Sequence, residues 1–259
     1  MGFGVLPQPQ GVLAGYGFVV ALPQEARTLC RKPPRAGHVV SLEGKYWLGV
    51  SGMGAVRARQ MALMLIAQGA RGLVSWGTCG GLAPELPAGA LIMASHVVAV
   101  DGTRYVAARL SVTALASALT SPVRSGALLS VSHPVTTVLE KTALYQQFGA
   151  LGVDMESVEL ARTAAEYGVE FLALRVVVDP ATDALPMALV GAVDDLGAMR
   201  LWPLLAALGI SPRKWGELWR LSRHFGQARH TLITLGALMR AGAGPFRQPK
   251  GEGLPGPGP

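Results

Sequence analysis

Three carboxylates stand where an apolar stretch gives way to a turn or a helix: Glu25, Glu156 and Asp179. Glu156 follows Gly152-Val153-Asp154-Met155 and opens a helical pattern. Asp179 ends the β-branched run Leu174-Arg175-Val176-Val177-Val178 and precedes Pro180, and Glu25 follows a short apolar run and Pro23-Gln24. Carboxylates that meet in one pocket are suited to acid and base work. Taken singly, each has a plainer reading. Glu156 and Glu25 suit the positive end of a helix, and Asp179 suits a turn before proline. In an α/β sheet, however, ligands collect where strands end, so acids at several such ends can converge on one site.

The elements that would carry these acids follow from pattern. Gly17 to Leu22 reads as a buried strand, and Pro23 sits well at the first turn of the helix that includes Glu25. Val39 to Val50 reads as a hairpin turning at Glu43-Gly44. Ser51-Gly52-Met53-Gly54 is a glycine turn opening a helix that runs to about Gln68, and its amides suit an anion or a polarised water. Arg57 fills the third glycine position, so this is not the dinucleotide fingerprint. Leu73 to Pro84 is a strand running into the glycine-dense stretch Gly77-Thr78-Cys79-Gly80-Gly81, where the backbone must approach something closely.

Strands follow at Ala90 to Val100, which carries His96 as a satisfied core residue, and at Gly126 to Val131. Ala107 to Ser121 is a smaller helical or lid-like piece. Ser132-His133-Pro134-Val135-Thr136 would face the same end of the sheet as the acids, and Glu140 to Phe148 is a helix. Helical spacing from Met155 to Glu166, a stop at Gly168 and a strand from Glu170 to Val178 complete the pattern. Alternating strands and helices predict an α/β fold, a central mixed sheet flanked by helices on both sides.

Composition narrows the class. With 259 residues, 50% of them hydrophobic and 15% charged, the chain can bury one large core. Cys30 and Cys79 have no ligand-like spacing, so neither a disulfide framework nor a metal site is expected. The first basic residue is Arg27, so no secretory signal is expected, and no apolar run is long enough to span a bilayer. A cytoplasmic protein is the expectation. The net charge of +7 raises nucleic acid and anionic membrane as partners.

In order along the chain, Ala21-Leu22-Pro23-Gln24-Glu25, Ser51-Gly52-Met53-Gly54, Gly77 to Pro84, Val153-Asp154-Met155-Glu156 and Arg175 to Asp179 resemble the purine nucleoside phosphorylase and nucleosidase family, over roughly residues 15 to 185. The closer likeness is to methylthioadenosine/S-adenosylhomocysteine nucleosidases. Closest is the hopanoid-associated, adenosylhopane nucleosidase branch, on His133-Pro134-Val135-Thr136, Glu140-Lys141, Asp154-Met155-Glu156-Ser157, Asp179-Pro180-Ala181, Ala184-Leu185-Pro186 and the long C-terminal extension. The resemblance implies a nucleoside phosphorylase-type α/β/α fold, no cofactor, a homo-oligomer, and cleavage of adenine from a lipid-linked adenine nucleoside, with a methylthioadenosine/S-adenosylhomocysteine nucleosidase, phosphorolytic purine nucleoside cleavage and a non-catalytic purine-nucleoside binding protein as the alternatives.

It also implies roles. Asp179 would protonate purine N7, Glu156 would grip the ribose hydroxyls with Met155 beneath the sugar, and Glu25 would activate the attacking water. Thr78 would stand near that water, Gly52, Met53 and Gly54 would line the nucleophile side, and Gly80, His133, Val153 and Asp154 would complete the substrate site. Ser75 stands where family phosphorylases carry a phosphate-binding arginine, which implies water as the nucleophile. Val178 replaces a serine common before the aspartate, a departure that bears on how Asp179 is positioned.

From about Leu201 the composition turns basic and tryptophan-bearing, with Trp202, Trp215, Trp219, Arg220, Arg223 and Arg229. The expected division is a catalytic domain over residues 1–200, a helical appendage over 201–241 and a disordered Gly/Pro-rich tail over 242–259. A helix from Ser211 to Gly226 carrying Trp215, Leu218 and Trp219 on one face would either lie in a membrane interface or pack that face on the core. Nucleic acid is disfavoured, because no recognised binding module accompanies the charge.

Overall fold

The computed structural model describes residues 13–108, 110, 112–185 and 212–242. Most of the expected N-terminal lead-in, Pro186, Trp202 and the glycine-rich tail from residue 243 lie outside the described residues. Nine strands form one mixed sheet: β1 (Tyr16–Val20), β2 (Val39–Leu42), β3 (Tyr46–Val50), β4 (Gly72–Gly81), β5 (Leu91–Ala99), β6 (Arg104–Val106), β7 (Val123–Ser130), β8 (Gly152–Asp154) and β9 (Glu170–Asp179). The helices are α1 (Pro23–Ala26), α2 (Ala55–Ala67), α3 (Val112–Ala118), α4 (Val138–Phe148), α5 (Ser157–Glu166) and α6 (Pro212–Arg240).

The sheet is not simply open. Its path runs β2-β3-β1-β4-β8-β7-β5-β6, while β9 pairs with both β4 and β5. Strands β4, β8, β7, β5 and β9 therefore close into a ring. β1 runs parallel to β3 and β4, and β4 runs parallel to β9, so the carboxyl ends of these four strands share one edge.

Both faces of the sheet are covered, which is why the strands read as apolar runs rather than alternating ones. Phe18, Trp76, Leu174 and Val176 point into one core. Their neighbours Val19, Leu73, Ala173 and Val177 point into the other, beneath Met61 and Leu65 of α2 and Leu160 and Ala164 of α5. β7 begins three residues before the expected Gly126, because exposed Arg124 and Ser125 interrupt the apolar signal. α3 is no lid over the acids: its Leu115 is buried in the first core with Leu119 and Val123.

Helix α6 is one 29-residue helix, far longer than the expected Ser211 to Gly226. Ala228, Leu232, Leu235 and Met239 join the core around Phe18, Tyr46 and Trp76, while Trp219 and Phe225 remain exposed. Its C-terminal half is thus a packing element, pinned by Thr231 donating to the Gly89 carbonyl at 2.9 Å and Arg240 donating to the Leu29 carbonyl at 2.8 Å. Contact with the segment after α1 is close: a Cβ on Gly236 would lie 2.8 Å from the Thr28 carbonyl oxygen.

Alanine normally favours a helix over glycine by about 0.5–1 kcal/mol. At exposed Gly226, with open space around it, Gly226→Ala should raise thermal stability by that amount. Gly236→Ala should instead lower it by about 1–3 kcal/mol, the usual cost of overpacking; equal shifts in Tm for the two variants would contradict this packing of α6.

Candidate active site

The shared edge of β1, β3, β4 and β9 opens into a cavity of about 170 Å³, whose wall includes Glu25, Thr78, Gly80, Glu156 and Asp179. The three acids singled out by sequence therefore converge. Met53, Val153, Asp154 and Met155 also line it, as does His133. His133 lies at the rim with a largely exposed ring, its Nε2 3.2 Å from Glu140 Oε1.

Glu25 belongs to a helix of only four residues, too short to hold itself. It is held by a chain of donors. Trp76 Nε1 donates to Thr28 Oγ1 at 3.0 Å, and that hydroxyl donates to the Glu25 carbonyl at 2.6 Å. The carboxylate is then aimed by three further donors: Oε1 accepts from the Thr78 amide at 2.7 Å and the Thr78 hydroxyl at 2.9 Å, and Oε2 accepts from the Leu22 amide at 3.1 Å. Gly77 makes this approach possible, since a Cβ there would lie 2.5 Å from Glu25 Oε1 and 2.8 Å from Arg175 Nη1.

Beside Glu25 lies a buried ionic cluster. Arg175 Nη2 donates to Ser75 Oγ at 2.8 Å and to Glu156 Oε2 at 3.4 Å, and Nη1 donates to the Thr78 carbonyl at 3.3 Å. Its Nε lies 2.9 Å from Asp154 Oδ2, with the N–H directed off that line, so this contact is an ion pair rather than an aligned hydrogen bond. Burial opposes the guanidinium charge, but Asp154, Glu156 and Glu25 outweigh it and hold the group above its ordinary range. Asp154 also accepts from Ser130 Oγ at 2.5 Å and from the Ser157 amide at 3.2 Å, and the Ser157 hydroxyl donates to it. The Asp154 carboxylate is thus engaged inside the wall.

Glu156 is the N-cap residue of α5, but its side chain turns away from that helix. Its Oε1 accepts from the Gly54 amide at 3.0 Å, at the start of α2. The amide expected to receive an outside anion therefore receives this carboxylate. Burial pushes the Glu156 carboxyl up to about 7; Arg175 and the Gly54 amide pull it down, and Asp154 and Glu25 add to the rise.

Asp179 ends β9 at a register shift: Cys79 pairs with Val177, yet Gly80 pairs with Asp179. The irregularity brings the carboxylate beside Gly80, where a Cβ would sit 3.4 Å from Oδ2. Burial raises this carboxyl to about 6, against the Lys141 ammonium, whose Nζ donates to Oδ2 at 2.7 Å.

Arg175 and Lys141 received no role from sequence. Arg175 had a signal: a lone cation in a β-branched run is buried only when paired. Lys141 had a fainter one, since it starts the inward stripe 141, 144, 145 and 148 of α4, where Leu144, Tyr145 and Phe148 are partly buried. The Ser75 argument also needs correction. A cation does stand beside Ser75, supplied by Arg175 from β9, but it is already matched to acids.

Futalosine hydrolase of Streptomyces coelicolor is 34% identical over 125 residues, covering 42% of this chain and 53% of that protein. The chain therefore spans about half the length of that relative. Among solved structures, the 5'-methylthioadenosine/S-adenosylhomocysteine nucleosidase of Neisseria meningitidis superposes with a TM-score of 0.64 at 16% identity, covering 87% of this chain and 98% of that one. The Helicobacter pylori 5'-methylthioadenosine/S-adenosyl homocysteine nucleosidase gives 0.61 at 17% identity, over 87% and 97%. Futalosine hydrolase of Helicobacter pylori gives 0.56 at 18% identity, over 80% and 97%. At these identities the likeness is one of fold. The phosphorylase superfamily profile matches residues 15–207, which takes in every acid and cation of the cavity, and the chain belongs to that superfamily.

Proposed function

We propose that the protein hydrolyses the N-glycosidic bond of an adenine nucleoside, with adenosylhopane as the substrate and adenine and ribosylhopane as the products. The observation that carries this reading is the convergence of Asp179, a buried acid poised near pH 6, with Glu25 and Glu156 in one cavity. Asp179 gives its proton to purine N7 as the C1′–N9 bond breaks and its electron pair passes to the base. Glu156 holds the ribose hydroxyls; with its carboxyl near 7 it can accept or donate there at neutral pH.

Water attacks C1′ and passes its proton to Glu25. A carboxylate oxygen has two acceptor positions, and three of Glu25's four are filled by Thr78 and Leu22. One position, on Oε2, is left for water. Phosphate is disfavoured on charge. Glu25, Asp154 and Glu156 line the site, and the cations Arg175 and Lys141 are both already paired with carboxylates.

The lipid substrate is supported by the sequence likeness around His133 and Asp179, and by the outward face of α6. There Trp219 is 66% and Phe225 44% exposed, and the Arg223 guanidinium lies 5.0 Å from the Trp219 ring centre. Exposed basic and aromatic side chains on a helix suit an interface rich in anionic lipid. Among the described residues no helix is long and apolar enough to cross a membrane. The Streptomyces coelicolor relative favours a second reading, hydrolysis of futalosine or another soluble nucleoside.

Purified protein in phosphate-free buffer should release free base from detergent-dispersed adenosylhopane and little from methylthioadenosine or futalosine. Release only from a soluble nucleoside would move the function to the second reading, and a requirement for phosphate would overturn hydrolysis. Asp179→Asn and Glu25→Gln should each fold and lose about 10²–10⁴ in rate. Because Asp179 acts protonated, kcat/KM should fall as pH rises through about 6. The double variant Trp219→Ala, Phe225→Ala should bind anionic liposomes more weakly than the unaltered protein while keeping its Tm; absence of liposome binding by the unaltered protein at low salt would remove the membrane from the proposal.

A further inference from the structure

The ammonium of Lys141 is wholly buried. Four oxygens surround its Nζ: Asp179 Oδ2 at 2.7 Å, the Asp183 carbonyl at 2.8 Å, the Pro180 carbonyl at 2.9 Å and the Asp179 carbonyl at 3.1 Å. An ammonium has three protons to give and accepts nothing, so one atom clasps the carboxylate and the turn that follows it. The residue before the acid, Val178, is apolar and buried and offers no side-chain donor. We propose that Lys141 is the positioning residue of the catalytic acid: it occupies Oδ2, leaves Oδ1 for the transferable proton, and keeps that proton releasable near neutral pH.

The inference rests on the reading of Asp179 as the acid that protonates the base. Its electrostatic side follows from what faces that carboxyl. Asp183 lies on the same turn, Glu25 on α1, Asp154 at the end of β8 and Glu156 at the start of α5, while Arg175 on β9 is matched to the last two. Cys79 on β4 is a neutral thiol, its burial pushing it far above the ordinary range. Burial and the Asp183 carboxylate therefore both favour the protonated carboxyl, and Lys141 is the cation bonded to it that opposes them. Buried carboxyls without such a partner reach about 8–9; an acid that weak would protonate a purine poorly.

Helix α4 is built to hold the clasp still. Thr137 caps its start by accepting from the Glu140 amide at 3.1 Å, and Gly149 ends it in the left-handed region. The consequence reaches further along the chain. Asp183, whose carbonyl Lys141 holds, carries an ion pair to Arg220 of α6 at 3.3 Å, and His224 Nδ1 of the same helix lies 3.6 Å from its carboxylate.

The test compares Lys141→Met and Lys141→Gln with the unaltered protein across the pH profile of kcat/KM for adenine release. The basic limb should move up by about one unit or more, so that the ratio of variant to unaltered rate climbs about tenfold per pH unit between the two limbs. A ratio independent of pH would mean that Lys141 is merely structural and would overturn the proposal. Should neither variant fold, the carboxyl carbon of Asp179 followed by NMR in the unaltered protein decides the matter: titration near 6 is expected, and titration above 8 would overturn the proposal. That readout needs no turnover, so a failure to release adenine would remove the functional reading and leave the effect of Lys141 on Asp179 separately decided.

Discussion

A guanidinium removed from water is tolerable only beside opposite charges and acceptors, and for Arg175 those partners come from several segments. Asp154 stands at the end of β8, Glu156 and Ser157 at the start of α5, and Ser75 and the Thr78 carbonyl on β4. Satisfying one side chain therefore draws three elements to a common point. The dependence runs both ways, because removing one partner of a buried pair leaves a charge that typically costs about 3–5 kcal/mol. The cavity lies against this cluster, and the positions of Asp154 and Glu156 in its wall follow from how Arg175 is paired.

The same burial that makes the cluster costly makes it useful. Four carboxylates in a dry space cannot all ionise freely, and the two with clear shifts, Glu156 and Asp179, are pushed up to about 7 and about 6. A raised carboxyl folds most favourably when protonated, so its contribution to stability is largest at low pH and is lost as pH rises through the folded value. An acid that needs its proton for chemistry gains from that arrangement. Close backbone supports it: Gly77 lets β4 lie against Glu25 where a side chain would push the carboxylate away.

Helix α6 connects this site to the rest of the chain. Its inward residues complete the core around Trp76, and Gly236 abuts the carbonyl of Thr28, whose hydroxyl belongs to the hydrogen-bond chain that steadies Glu25. Trp219 and Phe225 remain exposed on it, with Arg223 over the Trp219 ring. One helix thus serves packing on one side and offers a surface on the other, which is how a mixed composition of tryptophan, arginine and leucine is accommodated.

The convergence of Glu25, Glu156 and Asp179 was legible in the chain, because each stands where an apolar run ends and an α/β sheet gathers such ends on one edge. The glycine density around Gly77 likewise announced a close approach. The ring closure of β9 between β4 and β5, the capture of the Gly54 amide by Glu156 and the clasp of Lys141 on Asp179 were not legible. Periodicity reports which face of an element is buried, but not what it is buried against. Gly54 and Glu156 lie 102 residues apart, Lys141 and Asp179 38. Which charge meets which at such separations is decided only when the packed core brings the segments together, since a buried charge is stable solely beside the partner that the tertiary fold supplies.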